Sequence, residues 1–243
     1  MRQMRMLIIW FLCAGLTTLL NADTKRYDIK SGIIKYAITG NGNMMGVSMQ
    51  TSGTATSIFR DWGSEELYEE QVSSVTMGQK TQEHEMSKLV DGKAYIVDFE
   101  NKVILDYSGQ VLTNSEYGDM LQKGKDTLIA MGGKKVGEEE FMGYDCEIWE
   151  LAPAKIWIYK GVMLKSEASM MGVKYTTAAV EVDFDVSVSD SQLKLPDFPI
   201  KTISAGMIPS NQSTDEEEGD MPQLTPEQML ELQEAMKGFS KVQ

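Results

Sequence analysis

The sequence predicts a mainly β (α+β) protein: a curved antiparallel half-barrel of about ten strands, with one helix on its concave face and a C-terminal tail helix. Three observations predict it. Period-two runs rich in Ile, Val, Thr and Tyr recur from Tyr27 to Phe184, separated by short glycine-bearing turns. One internal stretch, Asn114 to Gly132, has helical spacing instead. Short links between the runs imply sequential hairpins, hence antiparallel pairing, and a sheet of that width curls rather than staying flat.

The chain begins with a basic head, Met1 to Arg5, then an apolar run from Met6 to Leu20 that ends at Asn21-Ala22. This is the pattern of a secretory signal peptide, residues 1–22, cut after Ala22. The run is shorter than the twenty or so residues a membrane span needs, so the mature chain is expected not to cross a membrane. The half-barrel domain is assigned to residues 23–200. Its first strand leads from Tyr27 into a hairpin turn at Gly40-Asn41-Gly42-Asn43, and the return runs from Met44 to Phe59. Asp61-Trp62-Gly63 reads as a tight turn. A polar hairpin, Glu65 to Thr76 and Lys80 to Val90, turns about Met77-Gly78-Gln79; few of its residues are large and apolar, so one of its faces is wet. Two shorter strands follow, to Phe99 and Tyr107.

In the helix, Tyr117, Met120, Leu121, Leu128 and Met131 share one stripe, and Gly132-Gly133 ends it. Lys134 to Leu151 and Lys155 to Phe184 are read as four more strands. Pro196, Pro199 and Pro209 end regular pairing. Residues 201–223 form an acidic, proline-containing linker. Thr225-Pro226-Glu227-Gln228 opens the tail helix, residues 224–239, as a capping box with proline at its first turn.

Composition narrows the function. The whole chain carries a net charge of −13, and loss of residues 1–22 removes Arg2 and Arg5 and no acid. A surface so acidic repels nucleic acid, and only Arg26 and Arg60 remain to grip phosphate. Cys146 is the single cysteine of the mature chain, so no internal disulfide forms. Asp145 and Glu147 beside it make a buried, inert thiol the expected state. His84, the lone histidine, stands between Glu83 and Glu85, which an alternating strand turns to the opposite face. No nucleophile elbow and no phosphate loop is present, so a non-catalytic protein without a cofactor is expected.

From Gly132 onward the order of motifs is the informative feature. A helix is followed by Gly132-Gly133-Lys134-Lys135-Val136-Gly137, then Phe141-Met142-Gly143-Tyr144-Asp145-Cys146-Glu147-Ile148-Trp149. Next come Ile156-Trp157-Ile158-Tyr159-Lys160, Met163-Leu164-Lys165-Ser166-Glu167, a turn at Gly172, and Leu193-Lys194-Leu195-Pro196. This order resembles the LolA/LolB-like periplasmic lipoprotein-carrier superfamily, and most of all an uncharacterised bacterial branch of small exported domains. The resemblance covers Tyr27 to Pro199. It implies a periplasmic protein with an open half-barrel, a helix beneath the sheet, and an apolar cavity able to hold a lipid or lipoprotein acyl chain; another envelope component is the alternative partner.

The ligand-binding candidates are Trp157, the helix residues Tyr117, Met120, Leu121 and Leu128, and four turn methionines, Met44, Met45, Met170 and Met171. These methionines belong to a repeated string, Met44-Met45-Gly46-Val47 and Met170-Met171-Gly172-Val173. Thioethers adapt to irregular apolar surfaces. Two further readings stand beside the carrier: a protein-interaction or stress-sensing module whose concave face is filled by its own helix, and a methionine-based Cu(I)-binding protein.

Overall fold

The computed structural model describes residues 25–44, 47–90, 92–107, 120–170 and 172–203. The leader, most of the linker and the tail helix lie outside them, as do Tyr117, Met45 and Met171. The first six strands are β1 (Gly32–Met44), β2 (Val47–Arg60), β3 (Glu65–Thr76), β4 (Gln79–Val90), β5 (Lys93–Asp98) and β6 (Val103–Asp106). Helix α1 (Met120–Ala130) follows. The remaining strands are β7 (Lys134–Phe141), β8 (Tyr144–Leu151), β9 (Ala154–Tyr159), β10 (Val162–Met170), β11 (Val173–Phe184) and β12 (Ile200–Thr202).

All twelve form one sheet in the order β12-β6-β5-β4-β3-β2-β1-β11-β10-β9-β8-β7. Two meanders, β1 to β6 and β7 to β11, are therefore joined at their middle by the β1–β11 pair, and a single continuous meander is not what forms. Every pair is antiparallel except β6 with β12. The strand number exceeds the expected ten for two reasons. The stretch from Lys134 to Phe184 holds five strands, because Lys160-Gly161 adopts the left-handed conformation and closes a tight β9–β10 hairpin. In addition, the chain resumes pairing after Pro199, at the sheet edge, where a preceding proline costs no ladder bond.

Two boundaries also differ from expectation. Residues 26–30 are not strand: the Arg26 and Tyr27 amides donate to the Trp62 carbonyl and the Asp28 amide to that of Lys160. This segment thereby ties the β2–β3 corner to the β9–β10 turn. Nor do Gly40 and Gly42 make a turn; β1 runs through them to Met44. Their lack of a side chain serves close approach, since a Cβ on Gly42 would lie 2.2 Å from the Gly172 carbonyl oxygen. The end of α1 matches expectation. Gly132 has φ +90°, and the Gly133 and Gly132 amides reach back to the Leu128 and Ile129 carbonyls.

The sheet curls. Tyr144 on β8 and Phe184 on β11 are three strands apart, about 14 Å on a flat sheet, yet their ring centroids are 5.2 Å apart. The face on which they meet is concave, and it carries the main buried cluster, including Ile34, Tyr36, Phe59, Cys146 and Leu164. Beyond Phe184 the chain crosses the opposite face of β2 to β5. Arg60 bonds Asp190 at 2.6 Å, Lys88 Nζ bonds the Leu193 carbonyl, and Leu193 is buried. The expected closing segment, Leu193 to Pro196, is thus a strap that leads to β12.

Candidate functional site

The two ends of the sheet differ in kind. At one end β10 and β11 pair only from Lys165 with Ala178 to Met170 with Val173. Past that point aromatic side chains fill the space between the two halves. Tyr159 and Phe184 stack at 5.8 Å, Tyr144 packs on Tyr159 at 4.9 Å, and Tyr27 meets Phe59 edge-on at 4.7 Å. The Tyr36 hydroxyl crosses the gap to donate to the Met163 carbonyl at 2.8 Å. Beneath lies a polar knot: Glu66 accepts from Arg26 at 2.7 Å, from the Tyr27 hydroxyl at 2.8 Å and from Ser57 at 2.7 Å. Burial, together with the charge and hydrogen bond of Glu66, pushes the Tyr27 phenol well above its usual range against the pull of Arg26. This end is closed.

The other end carries the methionines. Met49, Gly42, Val173 and Met170 stand opposite one another in a single row across β2, β1, β11 and β10. The Asn43 amide donates to the Gly172 carbonyl, so the two Met-Met-Gly-Val strings, distant in sequence, are neighbouring turns. The β3–β4 turn at Met77-Gly78 joins them at the same end, its Met77 79% exposed. Between it and β2 is a depression of about 480 Å³ lined by Val47, Ser48, Gln50, Val75, Met77 and Gly78. It is open to solvent and mixed polar and apolar in its lining, a surface depression rather than an enclosed cavity.

The other candidates are distributed unevenly. Trp157 is 4% exposed and belongs to the core, where it is the register partner of Ile148. Its ring lies under Lys165 Nζ at 4.2 Å and Lys155 Nζ at 5.0 Å, and its indole N–H is buried without a hydrogen-bond partner. Leu128 is half-buried on α1. Met120 and Leu121 lie in the first turn of α1, and Met44 ends β1. Met49 and Met170 lie three strand spacings apart, about 14 Å between Cα atoms, and Met49 is buried. The described methionines are therefore better arranged to cover apolar surface than to share one copper ion.

Two arrangements escaped sequence reasoning because they depend on register. His84 stands next to the cross-strand Glu69, with Nε2 2.7 Å from its carboxylate, and its ring stacks on Phe99 at 3.7 Å. On β8, Glu147 accepts from Lys125 of α1, from Lys135 and from the Trp149 indole. Burial alone raises this carboxyl, but the three donors outweigh it and hold it below the usual range. Cys146 behaves as expected: it is fully buried. Burial, reinforced by Asp145 and Glu139, pushes its thiol up to about 11. Alkylation of the folded chain at pH 8 should therefore run at least roughly a hundred-fold slower than in denaturant. Equal rates, followed by mass spectrometry, would show the thiol to be accessible.

No family model matches the chain, and no curated protein matches it in sequence. Solved structures do. An uncharacterized conserved protein from Thermus thermophilus aligns over 70% of this chain and 90% of its own, at 9% identity and TM-score 0.38. LprF from Mycobacterium bovis aligns over 70% and 91%, at 9% identity and TM-score 0.31. A LolA superfamily protein from Nitrosomonas europaea aligns over 72% and 94%, at 8% identity and TM-score 0.30. At these identities and scores no family and no residue's role is carried over to this chain.

Proposed function

We propose that the chain is a non-catalytic, exported envelope protein that takes an apolar ligand, the acyl chain of a lipid or lipoprotein, at the methionine-bearing end of its half-barrel. The observation that carries this reading is the placement of both Met-Met-Gly-Val turns side by side, opposite an end closed by aromatics. Thioether side chains are soft and unbranched and accommodate ligands of varied shape. In this reading Met44, Met45, Met170 and Met171 would meet the ligand first, Tyr117, Met120, Leu121 and Leu128 would contact its chain, and the buried Trp157 would serve as framework.

Helix α1 is tied to β8: Lys125 reaches Glu147, which shares a face of that strand with Trp149 and lies opposite the face of Tyr144 and Cys146. Export by a leader cleaved after Ala22 brings the chain to the periplasm. Among the described residues no helix is long and apolar enough to cross a membrane. The exposed Met77 and Val75 favour a second reading, in which the same end docks an envelope protein.

Native mass spectrometry of the chain expressed with its leader tests the proposal. A mass increment matching a lipid is expected, and it should be lost in the variant Met45→Lys with Met171→Lys. A bare apo mass from the unaltered protein rejects ligand carriage and leaves the docking reading.

A further inference from the structure

The two edges of the sheet are managed differently. At one edge β12 is three residues long, follows Pro199 and carries Lys201, all features that blunt strand addition. At the other, β7 is eight residues long without a proline, and Lys134 to Glu140 are all exposed. Among the described residues it pairs with β8 on one side only. A Cβ on Gly137 would meet nothing within 4 Å, so among the described residues that face of the strand is open at its middle. A bare edge of this length is a template for another strand.

Its charge pattern selects the strand that fits. β7 reads Lys134-Lys135-Val136-Gly137-Glu138-Glu139-Glu140-Phe141, basic at its start and acidic at its end. Val136 is the extra residue of a bulge in β7, so set antiparallel against a second β7 about Gly137, Lys134 faces Glu139 and Lys135 faces Glu138, and the two-fold axis makes each pair twice. A shift of one residue either way still opposes a lysine to a glutamate. Parallel pairing in register would instead set like charges together, which is destabilising. Lys135 is already engaged by Glu138 and Glu147 within its own chain. Lys134 with Glu139 and Glu140 are thus the charges offered outward. We propose that β7 is a self-complementary edge through which two copies of this chain pair antiparallel, joining their sheets in a two-fold dimer.

An edge of eight residues buries little area, so the dimer is a weak one, formed at high micromolar concentration and loosened by salt. Sedimentation of the purified chain at low and high salt measures it, with hydrogen exchange of the β7 amides followed against concentration. Lys134→Glu should weaken self-association roughly tenfold, by exchanging two attractive pairs for repulsive ones. Glu139→Lys with Glu140→Lys should do the same. An equimolar mixture of the two variants should associate again, more tightly than either alone. Gly137→Pro, at an exposed edge position, should abolish pairing while leaving the thermal transition of the monomer in place.

A chain that stays monomeric at all concentrations overturns the proposal. So does a dimer indifferent to Lys134→Glu and to Gly137→Pro, which would use another surface. Amides of β7 protected equally in the monomer would show the edge to be covered by the chain itself, and that also overturns it. None of these outcomes bears on ligand carriage at the methionine end.

Discussion

Replacing Phe59 with alanine is expected to cost about 3–5 kcal/mol of folding stability, the range for losing a fully buried aromatic side chain. Phe59 is 0% exposed and stands where three parts of the chain meet. Tyr27 of the N-terminal segment packs on its edge at 4.7 Å, and Phe184 of β11 lies 6.4 Å away. Gly32 leaves room for the ring, since a Cβ there would lie 2.8 Å from two of its carbons. The neighbours cannot collapse into the void, because Tyr27 is held by Glu66 and Phe184 by the register of β1 with β11. Denaturant unfolding followed by tryptophan fluorescence measures the loss. A cost under about 1 kcal/mol would mean that the closed end is not a packed core.

Gly42→Ala is expected to have the second large effect, and a different one. The added methyl would sit 2.2 Å from the Gly172 carbonyl oxygen and 2.5 Å from the Val173 Cα, both backbone atoms that no rotamer change can move away. β1 and β11 must then part at the methionine end, at an overpacking cost of about 1–3 kcal/mol. In the proposed function the two Met-Met-Gly-Val turns would separate and bound lipid would be lost. Gly78→Ala is the control. It lies at the same end in open space, and its φ of +76° limits the cost to backbone strain. Lipid retained in Gly42→Ala at undiminished stoichiometry would remove the paired turns from the binding site.

The extent to which the architecture was legible follows from how local each signal is. The Met77-Gly78 hairpin, the Asp61-Trp62-Gly63 corner and the glycine end of α1 were read correctly, since each depends on a few adjacent residues with left-handed backbone. Gly40 to Asn43 was misread as a turn for the same reason. A glycine needed for close approach of another strand looks, in one dimension, like a glycine needed for φ above zero. Tyr27 and Ile29 alternate like a strand, yet they pack into the aromatic cluster as an irregular segment. Burial imposes an apolar pattern whichever backbone delivers it.

The methionine strings show the division most clearly. By itself, the sequence determined that a Met-Met-Gly-Val string occurs twice beside tight turns, that Cys146 stands between two carboxylates in an alternating strand, and that the chain is a mainly antiparallel β protein with one internal helix. Hairpin periodicity, turn chemistry and neighbouring charges are local quantities, and residues a few positions apart suffice to set them. That Met49, Gly42, Val173 and Met170 form one row was decided only by tertiary structure, as were the Glu69 beside His84 and the place of β7 at the end of the strand order. Each follows from which strands become neighbours. Strand order is set by burying Ile34, Phe59 and Leu164 together across the curl of the sheet, a sum over distant contacts that no single stretch of the chain encodes.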